Sequence, residues 1–463
     1  MSLVISISGI RGTIGGIPGE GLTPIDTVQF ASAYASWLKE RSGRDRPAVV
    51  LGRDARISGP MMEHLVTATL TAMGVNVFQM GLATTPTVEL GVTEKKADGG
   101  IILTASHNPD HWNALKLLNE EGEFLSAGDG EKLLEKIRNR DFIYTEIKNL
   151  GTVKPFEGMD IKHIDRVIGL DLVNVQKIKE KKYRVVIDCV NSVGGMVIPK
   201  LLEKLGVEEV IELYCEPSGK FPHNPEPLPE HLSDISGAVT REKADVGFVV
   251  DPDVDRLAMV CEDGNMFGEE YTLVAVADYV LGHTPGNTCS NLSSSRALRD
   301  VTISRGGAYF PAAVGEKNVV EKMKQHRCVI GGEGSGGVIY PALHYGRDAL
   351  VGIALFLSHL ATSGLTCSQL RKQYPDYHMS KNKVQLPGDV DADRLLDRFE
   401  EFYKNYDVNR TDGVKVEMEE GWIHLRKSNT EPLIRLYTEA RTPRLAGQLA
   451  EEAREIINTL VKD

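Results

Sequence analysis

The chain lacks the usual marks of a membrane or secreted protein. No run approaches the roughly 20 apolar residues that a bilayer-spanning helix needs. The opening stretch, MSLVISISGIRG, has no basic segment ahead of an apolar core, and Arg11 interrupts it early. Positive charge is also short. Lys and Arg number 53 against 65 Asp and Glu, a net charge of −12. That argues against a nucleic-acid coat or a membrane-surface binder, both of which rely on a positive field. It leaves room for an anionic ligand, because a cleft can focus a local field of the opposite sign. Cysteine is sparse, and Cys189, Cys215, Cys261, Cys289, Cys328 and Cys367 contain no CxxC pair, so neither zinc nor a disulfide framework is expected. Low-complexity tracts and long flexible linkers are missing too. The expectation is a soluble, cytoplasmic protein with no nucleic-acid and no membrane partner, acting as a monomer or homodimer.

What is present points to an ordinary globular interior. Of 463 residues, 41% are hydrophobic and 25% charged, which excludes wholesale disorder. The length suggests about two to four domains. Thr23, Pro24 and Asp26 are placed to cap and start a helix through TPIDTVQFASAYASWLKER, which runs to Gly43. The strand PAVVL then leads into the turn GRDAR, a helix from Pro60, Gly74 and the strand VNVFQM. Strands alternating with helices imply α/β units with parallel pairing. A weak repeat supports more than one such unit. ATLTAMGVNVFQMGLATTP, KLLEKLGVEEVIELYCEPSG and ALRDVTISRGGAYFPAAVGE each read as a helix tail, a glycine (Gly74, Gly206, Gly307), a strand and a polar loop. After the break at Tyr374-Pro375, VQLPGD, VKVEME, GWIHLRKS and LIRLYTEA read as strands beside the helix PRLAGQLAEEAREIINTLVKD. The expected fold class is α/β: three related α/β domains with mixed sheets and a smaller, mostly antiparallel C-terminal α+β domain, around a central cleft. The boundaries are placed at 1–153, 154–259, 260–370 and 371–463.

Four segments carry candidate chemistry. In the first, the apolar strand GGIIL runs into Thr104-Ala105-Ser106-His107-Asn108-Pro109. This presents a hydroxyl at the carboxyl end of a strand, where open α/β sheets place ligands; taken alone, the segment reads first as a Ser/Asn turn before a helix. In the second, VGFVV delivers Asp251, Asp253 and Asp255 at alternate positions, with Arg256 next. Three carboxylates so close repel one another unless a cation joins them, and an all-oxygen set suits Mg²⁺. Arg256 can reach a phosphoryl group beside that metal. The plainer reading is a solvated acidic turn.

In the third, Gly331-Gly332-Glu333-Gly334-Ser335-Gly336-Gly337 contains a GxGxxG pattern, but the extended VIYP follows it instead of a helix. Glu333 and Ser335 can instead face a sugar's hydroxyls. In the fourth, Arg426-Lys427-Ser428-Asn429-Thr430-Glu431-Pro432, with Arg435 beyond, assembles guanidiniums, hydroxyls and turn amides into a phosphate cradle. Most such RxS stretches are surface loops. Arg11, Arg53, Arg56, Lys116 and Lys317 also stand in or beside loops at strand ends. Together these features indicate phosphoryl transfer on a phosphorylated polyol.

The order of these motifs resembles the α-D-phosphohexomutases over nearly the whole chain. SGIRG is similar to that family's N-terminal active-site segment, TASHNP to its phosphoserine loop and DPDVDR to its metal loop. GEGSGG resembles its sugar loop and RKSNTEP its phosphate loop, with FPHNPEP and AAVGEKNVV falling in order. The resemblance implies a resting phosphoserine at Ser106 and Mg²⁺ held by Asp251, Asp253, Asp255 and a phosphoserine oxygen. Lys116, Arg11, Arg256 and His107 would be catalytic. Glu333, Ser335, Gly315, Lys317, Arg426, Ser428, Asn429, Thr430 and Arg435 would bind the hexose phosphate. A hexose 1,6-bisphosphate would be intermediate and activator, and hexose phosphates the small-molecule partners. Pro252 and Val254 replace the usual spacers of the metal loop, Ala114 replaces a frequent glycine before Lys116, and Asn429 stands where glycine is common. The Gly336-Gly337 ending is similar to archaeal-type phosphoglucosamine mutases, so glucosamine phosphate is the favoured substrate, with phosphomannomutase/phosphoglucomutase activity as the alternative. Two other classes compete. A haloacid-dehalogenase-type phosphatase would use Asp251 as nucleophile, but it takes Thr or Val where this chain has Asp255. A non-catalytic sugar-phosphate-binding protein would have no need of Ser106 and three intact aspartates.

Overall fold

The capping signals before residue 24 act as their chemistry dictates. Thr23 accepts from the Asp26 N–H while the Asp26 carboxylate accepts from the Thr23 N–H at 3.0 Å, closing a capping box on the helix Pro24–Ser42, which Gly43 ends at φ 64°. In the computed structural model, which describes residues 2–6, 9–387, 390–427 and 433–462, this helix packs on a seven-stranded mixed sheet. The strand order is Leu3–Ser6, Gly9–Thr13, Trp112–Leu118, Gly99–Leu103, Ala48–Arg53, Asn76–Leu82 and Val153–Pro155. The first four pair antiparallel and the last four parallel. Alternate residues of the central strands feed opposite cores. Val49, Leu51, Ile101 and Leu103 join Phe30, Tyr34 and Leu38 on one face. Val50 and Ile102 meet Val88, Val92 and Phe156 on the other. Burial on both faces explains why GGIIL reads as an unbroken apolar run.

The internal repeat is real at the level of topology. Three times a strand, a helix and a parallel strand are followed by a helix and a third strand on the far side of the first. The strands are Ala48–Arg53, Asn76–Leu82 and Gly99–Leu103, then Arg184–Asp188, Glu209–Leu213 and Val246–Val250, then Asn287–Asn291, Tyr309–Ala312 and Cys328–Glu333. In the second set, Leu257–Cys261 adds an antiparallel edge. Gly74 and Gly206 end their helices at φ 81° and 80°. In the third repeat that left-handed position falls on Gly306, at φ 79°, one residue before the glycine the sequence pattern singled out.

The C-terminal sheet is wholly antiparallel, in the order His378–Gln385, Leu433–Ala440, Gly421–Lys427, Val414–Glu417 and Asp407–Asn409. The helices Ala392–Glu401 and Pro443–Lys462 flank it, and Leu395, Phe399, Ile423, Leu436 and Ile457 form its core. The contacts gather the chain into two compact units, Met1–Thr272 with Ser335–Leu370, and Leu273–Gly334 with Arg371–Asp463. Among the described residues, no helix is long and apolar enough to cross a membrane.

Candidate active site

In the first unit, the buried strand Gly99–Leu103 stops at Thr104. Thr104 Oγ1 donates to Asp54 Oδ2 at 2.6 Å and accepts from the Ser106 N–H at 2.9 Å. Ser106 sits at φ 49°, a left-handed conformation that costs a non-glycine residue about 1–3 kcal/mol and persists only where its surroundings impose it. Its Oγ donates to Asp251 Oδ2 at 2.6 Å, joining two motifs that are 145 residues apart. His107 Nδ1 lies 3.4 Å from the same Oγ. Burial, followed by the nearby Arg256, Arg11 and Arg347, pushes the His107 pKa well below its usual value, so the ring is neutral at pH 7.

The strand Val246–Val250 is likewise buried, and the three aspartates that follow it are fully enclosed. One oxygen from each lies within 4.8 Å of the others, a set that could hold a metal ion. The remaining oxygens are held by the protein. Asp251 Oδ1 accepts from the N–H groups of Asp255 and Arg256, both at 3.1 Å. Asp253 Oδ2 accepts from Lys116 Nζ and Thr85 Oγ1, both at 2.6 Å. Asp255 Oδ2 accepts from Arg347 at 2.6 Å and from Lys116 at 3.5 Å. Asp253 Oδ1 and Asp255 Oδ1 are buried with no hydrogen-bond partner. Two orphaned carboxylate oxygens, enclosed beside a third carboxylate and a serine hydroxyl, fit a hard divalent cation. The charges agree with this. Burial, then repulsion from Asp253 and Asp255, raises the Asp251 pKa well above the usual carboxylate range. Burial pushes Asp253 the same way, but Lys116 and the hydrogen bonds it receives hold its pKa below that range. Lys116 pays a desolvation penalty that the two aspartates outweigh, so its pKa is raised and it stays cationic.

The unusual spacers are accommodated. Pro252, which has no N–H, is held through its carbonyl by Ser192 Oγ at 2.6 Å. Val254 is buried at φ 63°, a strained position for a β-branched residue. Of the SGIRG segment, residues 9–12 lie in a strand. Gly9–Thr13 pairs with Trp112–Leu118 so that Gly9 faces Lys116 and Arg11 faces Ala114. That register puts Arg11 and Lys116 on one face of the sheet, and Arg11 Nη1 reaches Asn108 Oδ1 at 3.4 Å. Arg256 Nε is buried 3.9 Å from Asp255 Oδ1, without a hydrogen-bond partner. Ser335 is half-buried in the turn ahead of Gly337–Ile339.

In the second unit, Glu333 ends its strand with Oε1 accepting from Asn291 Nδ2 at 2.8 Å and from the Gly315 N–H at 3.2 Å. This draws the GEGSGG and AAVGEKNVV segments together. Gly315 precedes the helix Glu316–His326 at φ 118°, and Lys317 lies in its first turn, 3.8 Å from Glu321. Arg426 and Arg435 are cross-strand partners on adjacent antiparallel strands. Arg426 is 3.7 Å from Asp412, whose carboxylate also accepts from the Val314 N–H at 2.9 Å. Ser428, Asn429 and Thr430 lie outside the described residues.

Thr85 and Arg347 escaped the sequence reading, although they grip the carboxylates of Asp253 and Asp255. The only signals were an ordinary Thr-Thr-Pro helix start and an Arg-Asp pair before the helix Ala349–Ser363. Arg56, read among the basic residues at strand ends, is fully buried.

Fold and site together define a phosphohexomutase, an isomerase that relocates a phosphoryl group on a sugar. The chain matches, in order, the phosphoglucomutase/phosphomannomutase alpha/beta/alpha domain I over residues 4–144, domain II over 161–264, domain III over 268–377 and the C-terminal domain over 384–456. It is 33% identical to a phosphoglucomutase/phosphomannomutase of Thermococcus kodakarensis across 97% of this chain and 99% of that one. It is 32% identical to a probable phosphoglucosamine mutase of Methanopyrus kandleri across 100% and 99%. A crystal structure of a phosphoglucomutase/phosphomannomutase family protein from Burkholderia thailandensis superposes with a TM-score of 0.84 at 26% identity, covering 99% of this chain and 98% of that one. The chain belongs to the phosphoglucomutase/phosphomannomutase family.

Proposed function

We propose that this enzyme interconverts glucosamine 6-phosphate and glucosamine 1-phosphate through a phosphoserine at Ser106 and a 1,6-bisphosphate intermediate, with Mg²⁺ as its metal. The observation that carries this reading is the 2.6 Å hydrogen bond from Ser106 Oγ to Asp251, beside two buried carboxylate oxygens without partners. Asp251, Asp253, Asp255 and Ser106 would hold the metal, which when bound offsets negative charge on the transferring group. Phospho-Ser106 gives its phosphoryl group to the free hydroxyl of the hexose monophosphate. The P–Oγ bond breaks, a bond to the sugar oxygen forms, and the hydroxyl proton passes to a nearby base. The neutral His107 is able to accept that proton, while the cationic Lys116 and Arg11, on one face of their sheet, assist by stabilising the negative charge that develops on the sugar oxygen. Arg256 neutralises charge on the phosphoryl oxygens. The bisphosphate then turns over, and its other phosphate returns to Ser106.

Glu333, Ser335, Gly315 and Lys317 would hold the sugar in either pose. Arg426, Ser428, Asn429, Thr430 and Arg435 would hold the phosphate that is not reacting. The four working domains are taken as 1–153, 154–259, 260–370 and 371–463, and the enzyme as a cytoplasmic monomer or homodimer. Glucosamine phosphate is favoured by the Gly336-Gly337 ending and by the Methanopyrus relative's name. The Thermococcus relative's name favours glucose and mannose phosphates as a second reading.

The test has three parts. Phosphopeptide mass spectrometry after incubation with Mg²⁺ and a hexose 1,6-bisphosphate is expected to find phosphate on Ser106; phosphate on Asp251 instead would overturn the mechanism. Initial rates on glucosamine, glucose, mannose and N-acetylglucosamine phosphates are expected to rank glucosamine first. Ser106→Ala is expected to abolish turnover with the fold intact, and full activity in that variant would sink the nucleophile assignment.

A further inference from the structure

Arg56 has no exposed surface, and it uses every N–H of its guanidinium. Nε donates to Asp54 Oδ2 at 3.0 Å. Nη1 donates to the carbonyls of Pro109 at 2.5 Å and Trp112 at 3.0 Å. Nη2 donates to the carbonyls of Ser106 and Asn108, both at 2.6 Å. The Arg56 Cζ lies over the Phe221 ring, 5.1 Å from the centroid. No donor remains for a substrate phosphate. Instead, four carbonyls of one loop, residues 106 to 112, turn inward onto a single buried cation.

That convergence is an unusual demand on a backbone. Carbonyls pointing at one spot repel one another; the Pro109 carbonyl also accepts from the Trp112 N–H at 3.0 Å, but those of Ser106, Asn108 and Trp112 would lose the donors that the cation supplies. The loop keeps this shape while holding Ser106 at φ 49°, which the residue would not choose for itself. Asp54 completes the arrangement from the other side. It accepts Arg56 Nε on one oxygen and the Arg56 N–H at 3.0 Å on the other, and Thr104 Oγ1 ties it to the Ser106 N–H. Both ends of Ser106, its N–H through Thr104 and Asp54 and its C=O directly, are thus referred to one buried ion pair.

We infer that Arg56 is a positioning residue for phosphoryl transfer. It acts through the carbonyls of residues 106 to 112 to aim Ser106 Oγ at the three-aspartate site, and it does not bind substrate. The inference rests on Ser106 being the phosphorylated residue. It predicts a selective defect. A lysine carries the charge but only three donors on one atom, so it cannot span four carbonyls and a carboxylate.

Arg56→Lys is therefore expected to fold, to bind Mg²⁺ as the parent does by titration calorimetry, and to keep the parent's KM for hexose phosphate. Its kcat, and the rate at which Ser106 takes phosphate from a hexose 1,6-bisphosphate, are expected to fall about 100-fold, the scale of an ångström misplacement. A folded variant with the parent's transfer rate would overturn the inference. So would one in which kcat, Mg²⁺ affinity and melting temperature all decline together, since that marks general support of the fold. If the lysine variant does not fold, Arg56→Gly with millimolar guanidinium added back decides the matter. Recovery of both fold and Ser106 phosphorylation supports the role; recovery of fold alone, or of neither, overturns it. The parent enzyme separates the two levels. A parent that takes no phosphate at Ser106 contradicts the proposed mechanism itself, whereas a parent and variant that are phosphorylated equally well contradict only the role of Arg56.

Discussion

His424 is fixed in one tautomer by its neighbours. Its Nε2–H donates to the Asp412 carbonyl at 2.7 Å, and Nδ1 accepts from Ser293 Oγ at 3.0 Å. Burial pushes its pKa down to about 3, against the small upward pull of the Asp412 carbonyl. The unfolded chain protonates this residue near pH 6.5, while the folded chain resists until near pH 3. Between those values the unfolded state binds more protons, so stability is lost as pH falls through the window and is complete above it. The effect is on the order of several kcal/mol at the acid end. His424→Gln retains a donor and an acceptor but does not titrate. Urea midpoints measured from about pH 4 to pH 7 should therefore slope less steeply in the variant than in the parent; equal slopes would rule His424 out as the titrating group. At this same scale the site was half legible. The alternation of Asp251, Asp253 and Asp255 after an apolar strand, and a serine where another strand ends, announce themselves locally. Thr85 and Arg347 do not, because they reach their aspartates across 168 and 92 residues from turns of ordinary composition. Arg56 was visible as a cation, but only the closed loop around it reveals that its donors are spent on carbonyls.

The start of the helix Ala349–Ser363 shows how one capping residue can do two jobs. Asp348 Oδ1 accepts from the N–H groups of Leu350 and Val351, at 2.8 and 3.4 Å. Oδ2 is shared by His163 Nε2 at 2.8 Å and His344 Nε2 at 3.2 Å. His163 Nδ1 passes the chain on to Thr87 Oγ1 at 2.9 Å, in the helix Thr85–Lys95. The cap thus sits between Arg347, which holds Asp255, and a buried network leading back toward Thr85, which holds Asp253. Losing a cap costs about 1 kcal/mol, and stranding a buried polar partner about 1–3 kcal/mol more. Asp348→Ala should accordingly lose about 2–4 kcal/mol by urea unfolding, and Asp348→Asn, which keeps a capping oxygen, should lose less. Identical losses would mean that the cap adds nothing. Elements as such were largely readable, since helix caps and apolar strands are local chemistry. The strand Gly9–Thr13 was not, because GIRGT has the composition of a loop and becomes a strand only by pairing with Trp112–Leu118. Asp407–Asn409 was missed for a similar reason, being three residues supported only by Val414–Glu417.

Across the whole molecule, the three-aspartate site, Ser106, Lys116 and Arg347 all belong to one compact unit, Met1–Thr272 with Ser335–Leu370. A ligand that binds only the folded form of a unit stabilises that unit by RT ln(1 + [L]/Kd), about 2.7 kcal/mol at 100 times Kd. Buried cysteines report on each unit separately, with Cys189, Cys261 and Cys367 in the first and Cys289 and Cys328 in the second. Burial raises the pKa of the Cys289 and Cys328 thiols, so these groups react chiefly when their surroundings open. With a thiol reagent under mildly destabilising conditions, saturating Mg²⁺ should slow modification of Cys189, Cys261 and Cys367 by up to about 100-fold. Cys289 and Cys328 should change far less, and EDTA should restore the metal-free pattern. Equal protection of both sets would show that the two units open as one cooperative body. No protection of either would remove the aspartate cluster as the metal site, because a cation joining three enclosed carboxylates must stabilise the unit that encloses them.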